Sequence, residues 1–420
     1  MNYAGIICKI VNLRAHPNAD RIQLGTAGYG NQVVVGLSTQ EGQLGIFFPP
    51  DGKLSLEMAE HNDLIAKKNP DGTRSGGFFE LPHLRIRAQN FRQARSDGFW
   101  IPISSLAWTG IDLASLKEGD LVDTLNGHCI CEKYYTPATL RALQGKQGKV
   151  RRGETLTFRK HPDTPQLRHV VNTIPPGAIL WVTVKAHGTS HRMAHVLDEV
   201  ALPRWKQWIN TMYPVFPTTG YTVLHGSRNV ILESIQGSGG YEGDAFRYKA
   251  CQGISLRKGE CLYMEIVGYA NEQSLIMNPQ PITDKQLKKR YGDSMRYTYG
   301  TLPGEQKIYI YRIVQMNEDG HGVELSWLQV LARCKELGLQ PVPPLAGPII
   351  YDGNPHALMD RLELLAESDD RDTLHIREGL VLRIESEYGT TFAKLKNHTF
   401  LTLESIIKDN DSHVDQEEVA

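Results

Sequence analysis

What most restricts the fold of this chain is a series of strand-forming runs that helices do not punctuate regularly. Ile179 to Val184, Cys261 to Ile266, Ile308 to Val314 and Gly379 to Ile384 are short, apolar and rich in β-branched and aromatic side chains. Helix signals fall between only some of them. Ser326 is a good N-cap for a helix that stops at Gly338, and Asn354-Pro355 opens another that continues toward Leu365. A doubly wound fold needs a helix after each strand, so an α+β domain of antiparallel sheets with flanking helices is expected instead. Earlier in the chain, Ile6 to Val11, Arg21 to Leu24, Val33 to Val35, Ile46 to Phe48 and Phe99 to Ile101 are separated by Gly, Pro and Asp turns. That spacing predicts a small β-barrel over residues 1–140, with the polar stretch from Glu60 to Gly77 as an inserted loop. Residues 141–157 read as a basic, Gly-rich linker and 158–420 as the second domain.

Composition narrows the functional classes. At 420 residues there is room for two to four domains of roughly 100–200 residues each. With 46 Lys+Arg against 47 Asp+Glu and 40% apolar residues, disorder, collagen and disulfide scaffolds are excluded. No apolar run approaches the roughly 18–20 residues that cross a bilayer, and the first residues lack the pattern of a secretory signal. A cytoplasmic monomer with reduced cysteines and no membrane partner is therefore expected.

The net charge of −1 hides local extremes. From Arg141 to Lys160 there are seven basic residues against one acid, Glu154. Arg85, Arg87, Arg92 and Arg95 form a second cluster near Phe91, Phe99 and Trp100, whereas the tail from Phe400 holds six acids and one lysine. Basic clusters beside aromatics are the footprint of phosphate-backbone binding, with the acidic tail expected to lie away from it.

The chemistry is concentrated in a few short segments. Lys185-Ala186-His187-Gly188-Thr189-Ser190 follows an apolar strand, so its amine would stand at the rim of a cleft beside residues small enough to admit a phosphate. Glu378 begins the strand that runs to Arg383, and Lys394 and Lys396 at i, i+2 share one strand face. Two ammonium groups on one face are costly unless an anion such as a triphosphate lies between them. Glu265 alternates with the apolar Met264 and Ile266.

In this order the segments resemble the motifs of the covalent nucleotidyltransferases: RNA ligases, DNA ligases and mRNA capping enzymes. The Lys185 hexapeptide is similar to motif I, Gly226-Ser227-Arg228 to motif Ia and the Glu265 strand to motif III. Tyr309-Ile310-Tyr311 is similar to motif IIIa, Glu378 to Arg383 to motif IV, and Lys394-Leu395-Lys396 to motif V. His187 in motif I resembles the RNA ligases in particular. The resemblance implies that Lys185 attacks ATP to form a lysyl-adenylate and that AMP then passes to a 5′-phosphate end, which a 3′-OH seals. It implies ATP contacts from His187, Gly188, Arg228, Glu265, Tyr311, Lys394 and Lys396, with Tyr311 or Tyr309 stacking on adenine. Lys394 and Lys396 would also lower the pKa of Lys185 and steady the transition state, and Glu378 would hold Mg²⁺ or Mn²⁺. Val184 stands where several RNA ligases have an acid, and the long interval from Lys185 to Arg228 implies an insertion around residues 201–220.

His16-Pro17-Asn18-Ala19-Asp20-Arg21-Ile22-Gln23-Leu24 resembles the entry to tRNA-binding OB domains. An OB domain followed by a nucleotidyltransferase domain resembles the RNA ligases that seal nicks in duplexes, so the expected partner is RNA or an RNA-containing nicked duplex. A GTP-dependent capping guanylyltransferase and a non-catalytic nucleic-acid-binding protein are the alternatives. Two further features carry blander expectations: Cys129 and Cys131 beside His128 are expected on a strand rather than on zinc, because the spacing lacks a second pair, and Trp205 with Trp208 are expected to pack a helix.

Overall fold

The computed structural model describes residues 3–68, 74–145, 152–200, 202–232, 245–282, 284–367 and 375–414. The first apolar run becomes the strand Gly5–His16, and the corner at Pro17-Asn18 returns it as Ala19–Ala27. The antiparallel sheet they start runs in the order Phe99–Pro102, Leu44–Phe48, Gly5–His16, Ala19–Ala27, Asn31–Gly36, with Leu121–Val122 also paired to the first strand. Alternate residues feed two cores. Ile7, Ile46 and Phe48 enter one, while Cys8, Ile10 and Phe47 enter the other, so both sheet faces are covered. The expected loop from Glu60 instead follows the Ser55-capped helix Leu56–His61 and holds the paired strands Ala66–Lys68 and Arg74–Gly76.

Among the described residues, the remainder of the chain builds a short two-stranded sheet, Gln280–Pro281 with Ser294–Met295, and two large sheets of a mixed α/β fold. One has the order Pro344–Ile350, Ile179–Val184, Gly379–Ser386, Gly389–Lys396. The other runs Ile231–Leu232, Thr219–Ser227, Thr189–Glu199, Glu260–Gly268, Gln306–Met316, Gly322–Glu324. Both are antiparallel, apart from the short Gln340–Pro341, which lies parallel to Gln306–Met316. Helix Pro355–Glu367 buries Leu358, Met359 and Leu362 in the core of the first sheet. Helix Trp327–Leu337 buries Trp327, Val330 and Cys334 in that of the second, between the expected Ser326 cap and Gly338 in the left-handed conformation. No described helix is long and apolar enough to cross a membrane.

Three further expectations change. The interval 201–220 does carry a helix, Arg204–Met212, but Trp205 and Trp208 are 58% and 67% exposed rather than packed. Three of the four arginines of the second cluster, Arg85, Arg87 and Arg95, are paired with acids. Arg85 and Arg87 reach Asp409 at 2.9 and 3.0 Å, and Arg95 reaches Asp97 at 2.7 Å and Glu367 at 3.4 Å. Oppositely charged segments far apart in sequence have met here, and Trp100 is buried and Phe99 packed against the core, whereas Phe91 and Arg92 stay exposed. The described part of the tail packs on the N-terminal half, where Asp411 O accepts the Ala138 N–H at 3.1 Å, and Asp415, Glu417 and Glu418 lie outside the described residues. In the basic stretch, Arg152 pairs with Asp198 at 2.5 Å, while Lys146, Lys149 and Arg151 lie outside the described residues. As expected, Cys129 and Cys131 lie on adjoining short strands.

Candidate active site

Strand Ile179–Val184 belongs to one sheet and Thr189–Glu199 to the other, so residues 185–188 form the crossing between them. Lys185 is thereby delivered to the space between the sheets, with its backbone N–H donating to Gly379 O at 2.9 Å. Gly188 permits the crossing because a Cβ there would stand 2.4 Å from Ile266 O. Gly379 plays the same part on the facing strand: a Cβ would meet Leu395 O at 2.2 Å, at a φ of +152°.

The sheets enclose a cavity of about 480 Å³, within the range of small-ligand sites. Thr183, Val381, Arg383, Phe392 and Lys394 line it from one sheet, and Ser190, Tyr263, Glu265 and Tyr311 from the other. Lys185, Gly188 and Arg228 also line it. Among the residues singled out from the sequence, these six of the site are therefore brought together on the wall: Lys185, Gly188, Arg228, Glu265, Tyr311 and Lys394.

His187, Glu378 and Lys396 lie behind that wall. The Glu378 carboxylate is fully buried, 2.5 Å from Lys185 Nζ, 3.3 Å from His187 Nδ1 and 3.7 Å from Lys396 Nζ. Burial alone would raise its pKa, but Lys185, His187 and Lys396 hold it down at about 2. His187 is fixed by rings, Tyr297 at 4.5 Å and Phe400 at 5.1 Å between centroids, and its backbone N–H donates to Tyr299 Oη at 2.6 Å. It therefore faces the acid rather than the cavity. Lys396 has a second acid that the sequence did not signal, Glu404 Oε2 at 2.9 Å, and Glu404 in turn meets Lys408, which reaches Asp51 of the N-terminal half at 3.0 Å. The two motif lysines thus part company: Lys394 lines the cavity and Lys396 joins a buried chain of alternating charges.

A β-bulge separates the two candidate tyrosines. Tyr263 pairs with Arg312 but Met264 with Ile310, so Tyr311 is an extra residue in its strand. Regular alternation would put Tyr309 and Tyr311 on one face; instead Tyr311 lines the cavity while Tyr309 is buried in the core beside Tyr299. Glu265 accepts a hydrogen bond from Ser190 Oγ at 3.1 Å. Residues missed from the sequence include Arg383, Arg247 and His161, all on the cavity wall. Arg383 had a signal, since it shares a strand face with Val381; Arg247, which donates to Thr189 Oγ1 at 2.6 Å, and His161 had none. Burial, and then the charges of Arg312 and Arg228, push the His161 pKa down to about 3, so it is neutral at pH 7.

The oxygen donors suit a hard divalent cation. Glu265 lines the cavity and Glu378 lies just behind its wall beside Lys185, and a cation of the Mg²⁺ type needs only one or two carboxylates beside substrate phosphates and water.

Comparison with known proteins gives a consistent picture. The family model described as RNA ligase matches residues 178–396. Three solved structures of an RNA ligase from Naegleria gruberi share the fold. The complex of a glutamate-to-alanine variant with ATP and Mn has a TM-score of 0.59 at 17% identity, covering 95% of this chain and 98% of that one. The complex with PPi gives 0.59 at 17% identity over 96% and 98%. A lysine-to-methionine variant with AMP and Mn gives 0.58 at 16% identity over 95% and 98%. No curated protein matches the chain by sequence.

Proposed function

The chain belongs to the RNA ligase family, and from that premise we propose that it is an ATP-dependent enzyme joining 3′-OH to 5′-phosphate ends through a lysyl-AMP intermediate, sealing nicks in RNA-containing duplexes. The observation that carries this reading is the Lys185 amine on the wall of a nucleotide-sized cavity, held at 2.5 Å by a buried carboxylate.

In this reading Lys185, once its proton is lost, attacks the α-phosphorus of ATP. A P–N bond forms and the bond to pyrophosphate breaks. The AMP then passes to a 5′-phosphate, freeing the lysine; attack by the 3′-OH forms the phosphodiester and releases AMP. Glu378 aims the amine before ATP arrives, and His187 and Lys396 keep that carboxylate ionised and fixed. Lys394 on one sheet and Arg228, just past strand Thr219–Ser227 of the other, offset phosphate charge. Glu378 and Glu265 are the groups that would hold Mg²⁺ or Mn²⁺, which when bound would supply positive charge to the phosphates. The solved structure of the Naegleria ligase variant with ATP and Mn supports this choice of nucleotide and metal.

Residues 158–420 are proposed as the adenylation domain and 1–140 as an OB-type RNA-binding domain. The edges of the N-terminal sheet meet where the Asp97 N–H donates to Gln32 O at 2.7 Å, which supports barrel-like closure. Incubation with labelled ATP or GTP and a divalent metal tests the reading directly: label is expected from ATP, and label from GTP alone would overturn it. For the substrate, nicked duplexes with RNA on the 3′-OH side are expected to be sealed faster than free single strands are joined. Efficient single-strand joining without duplex preference would sink the nick-sealing assignment.

Tyr311 gives a finer test. If it stacks on adenine, Tyr311→Ala should raise the ATP concentration needed for half-maximal adenylation by about tenfold, as loss of base stacking costs about 1–3 kcal/mol. Tyr311→Phe should preserve it, and Tyr309→Phe should leave it unchanged.

A further inference from the structure

Beside the cavity lies a cluster with different chemistry. On the seven-stranded sheet His191 pairs in register with Met264, and His225 pairs with Met193, two residues along from His191. His191, His225 and Met264 consequently share one sheet face. The turn after helix Ala245–Ala250 brings Cys251 onto that face. One ligand atom from each of His191, His225 and Cys251 lies within 4.8 Å of the other two, and Cys251 Sγ is 3.8 Å from Met264 Sδ. His191, Cys251 and Met264 are buried.

We propose that His191, His225 and Cys251 form a buried site for a thiophilic metal ion, zinc being the expected occupant. Tetrahedral zinc with bonds of about 2.0–2.3 Å holds its donors roughly 3.3–3.8 Å apart, and here His191 Nε2 and His225 Nδ1 are 3.1 Å apart. Closing the triad on an ion therefore requires small side-chain movements and no change of register. Hydrogen bonding does not by itself account for His191: Nε2 contacts His225, while Nδ1 is buried without a hydrogen-bond partner among the described residues. The set contains no carboxylate, so it suits neither Mg²⁺ nor Mn²⁺ and is chemically distinct from Glu378. Arg247, the nearby cation, is engaged by Ser190 O at 2.9 Å and by Thr189 Oγ1. A metal here would pin the segment ending in Cys251 to two strands and so brace the cavity wall that carries Ser190 and Glu265.

The test uses the full chain and does not depend on ligase activity. Protein grown with zinc and washed without chelator should retain about one ion per chain by elemental analysis. Cobalt(II) added to metal-free protein should give thiolate-to-cobalt charge transfer and the visible bands of a tetrahedral site. Cys251→Ser should lose the charge-transfer band, His225→Gln should weaken the visible bands, and Cys261→Ser, a buried cysteine outside the cluster, should keep both. Persistence of charge transfer in Cys251→Ser, or wild type that takes up neither ion, would overturn the site. Should Cys251→Ser fail to fold, wild type still decides: chelation should lower its melting temperature and zinc should restore it, whereas a midpoint indifferent to both rejects the proposal.

Discussion

Lys185→Ala is expected to abolish the covalent protein–AMP adduct, with at least a thousandfold loss of adenylation, while RNA retention in a mobility-shift assay stays near that of wild type. Retained adduct would place the nucleophile elsewhere. Glu378→Gln tests the same pair from the acid's side. It keeps the shape of the side chain but removes the charge that faces Lys185, His187 and Lys396, and should lower adenylation about a hundredfold by loosening the aim of the amine. It also changes the pH dependence of stability. The Glu378 pKa is held at about 2 in the fold against an ordinary value of 4.5, so its ion pairs contribute fully above 4.5 and are lost as pH falls toward 2. Wild type should therefore lose more stability than Glu378→Gln across that window in urea titrations. Parallel curves for the two proteins would contradict the arrangement.

Asp97→Asn should produce the largest loss of stability outside the cavity. This carboxylate is buried where the N-terminal sheet meets the last helix, His398–Ile407. It lies 2.8 Å from His398 Nδ1 and 2.7 Å from Arg95 Nε, and it accepts the Gln32 N–H at 3.0 Å. Removing one partner of a buried charge pair leaves the others desolvated and uncompensated, at a cost of about 3 kcal/mol or more. Because this contact ties the two halves together, urea unfolding of the variant should resolve into two transitions with the N-terminal half melting first. A single transition displaced by less than about 1 kcal/mol would show that the halves are held by other contacts. Burial would raise the Asp97 pKa, but the hydrogen bond from His398 and the charges of Arg95 and Arg168 hold it well below the usual carboxylate range. Its contribution is complete above the ordinary value of 3.8 and fades as pH falls below it.

The sequence by itself determined the elements whose signals are local. Apolar runs of strand length located Ile179–Val184, Glu260–Gly268, Gln306–Met316 and Gly379–Ser386, because alternation and β-branching are properties of a few adjacent residues. Ser326 and Gly338 bounded their helix for the same reason, since a cap is made within one turn. Motif order also picked out Lys185 and the residues across the cavity from it, because a strand end and its turn suffice to put an amine at a rim.

Only the tertiary structure decided how charges pair over long separations. It set Asp409 against Arg85 and Arg87, pairing much of a cluster that had looked like a phosphate surface. It divided Lys394 from Lys396 by placing Glu404 beside the latter, and one bulge sent Tyr309 and Tyr311 to different surroundings. It gathered His191, His225 and Cys251, which no spacing rule connects. Local pattern states which face a side chain takes, but the sign and distance of what that face meets depend on segments hundreds of residues away, brought into contact only when the sheets pack.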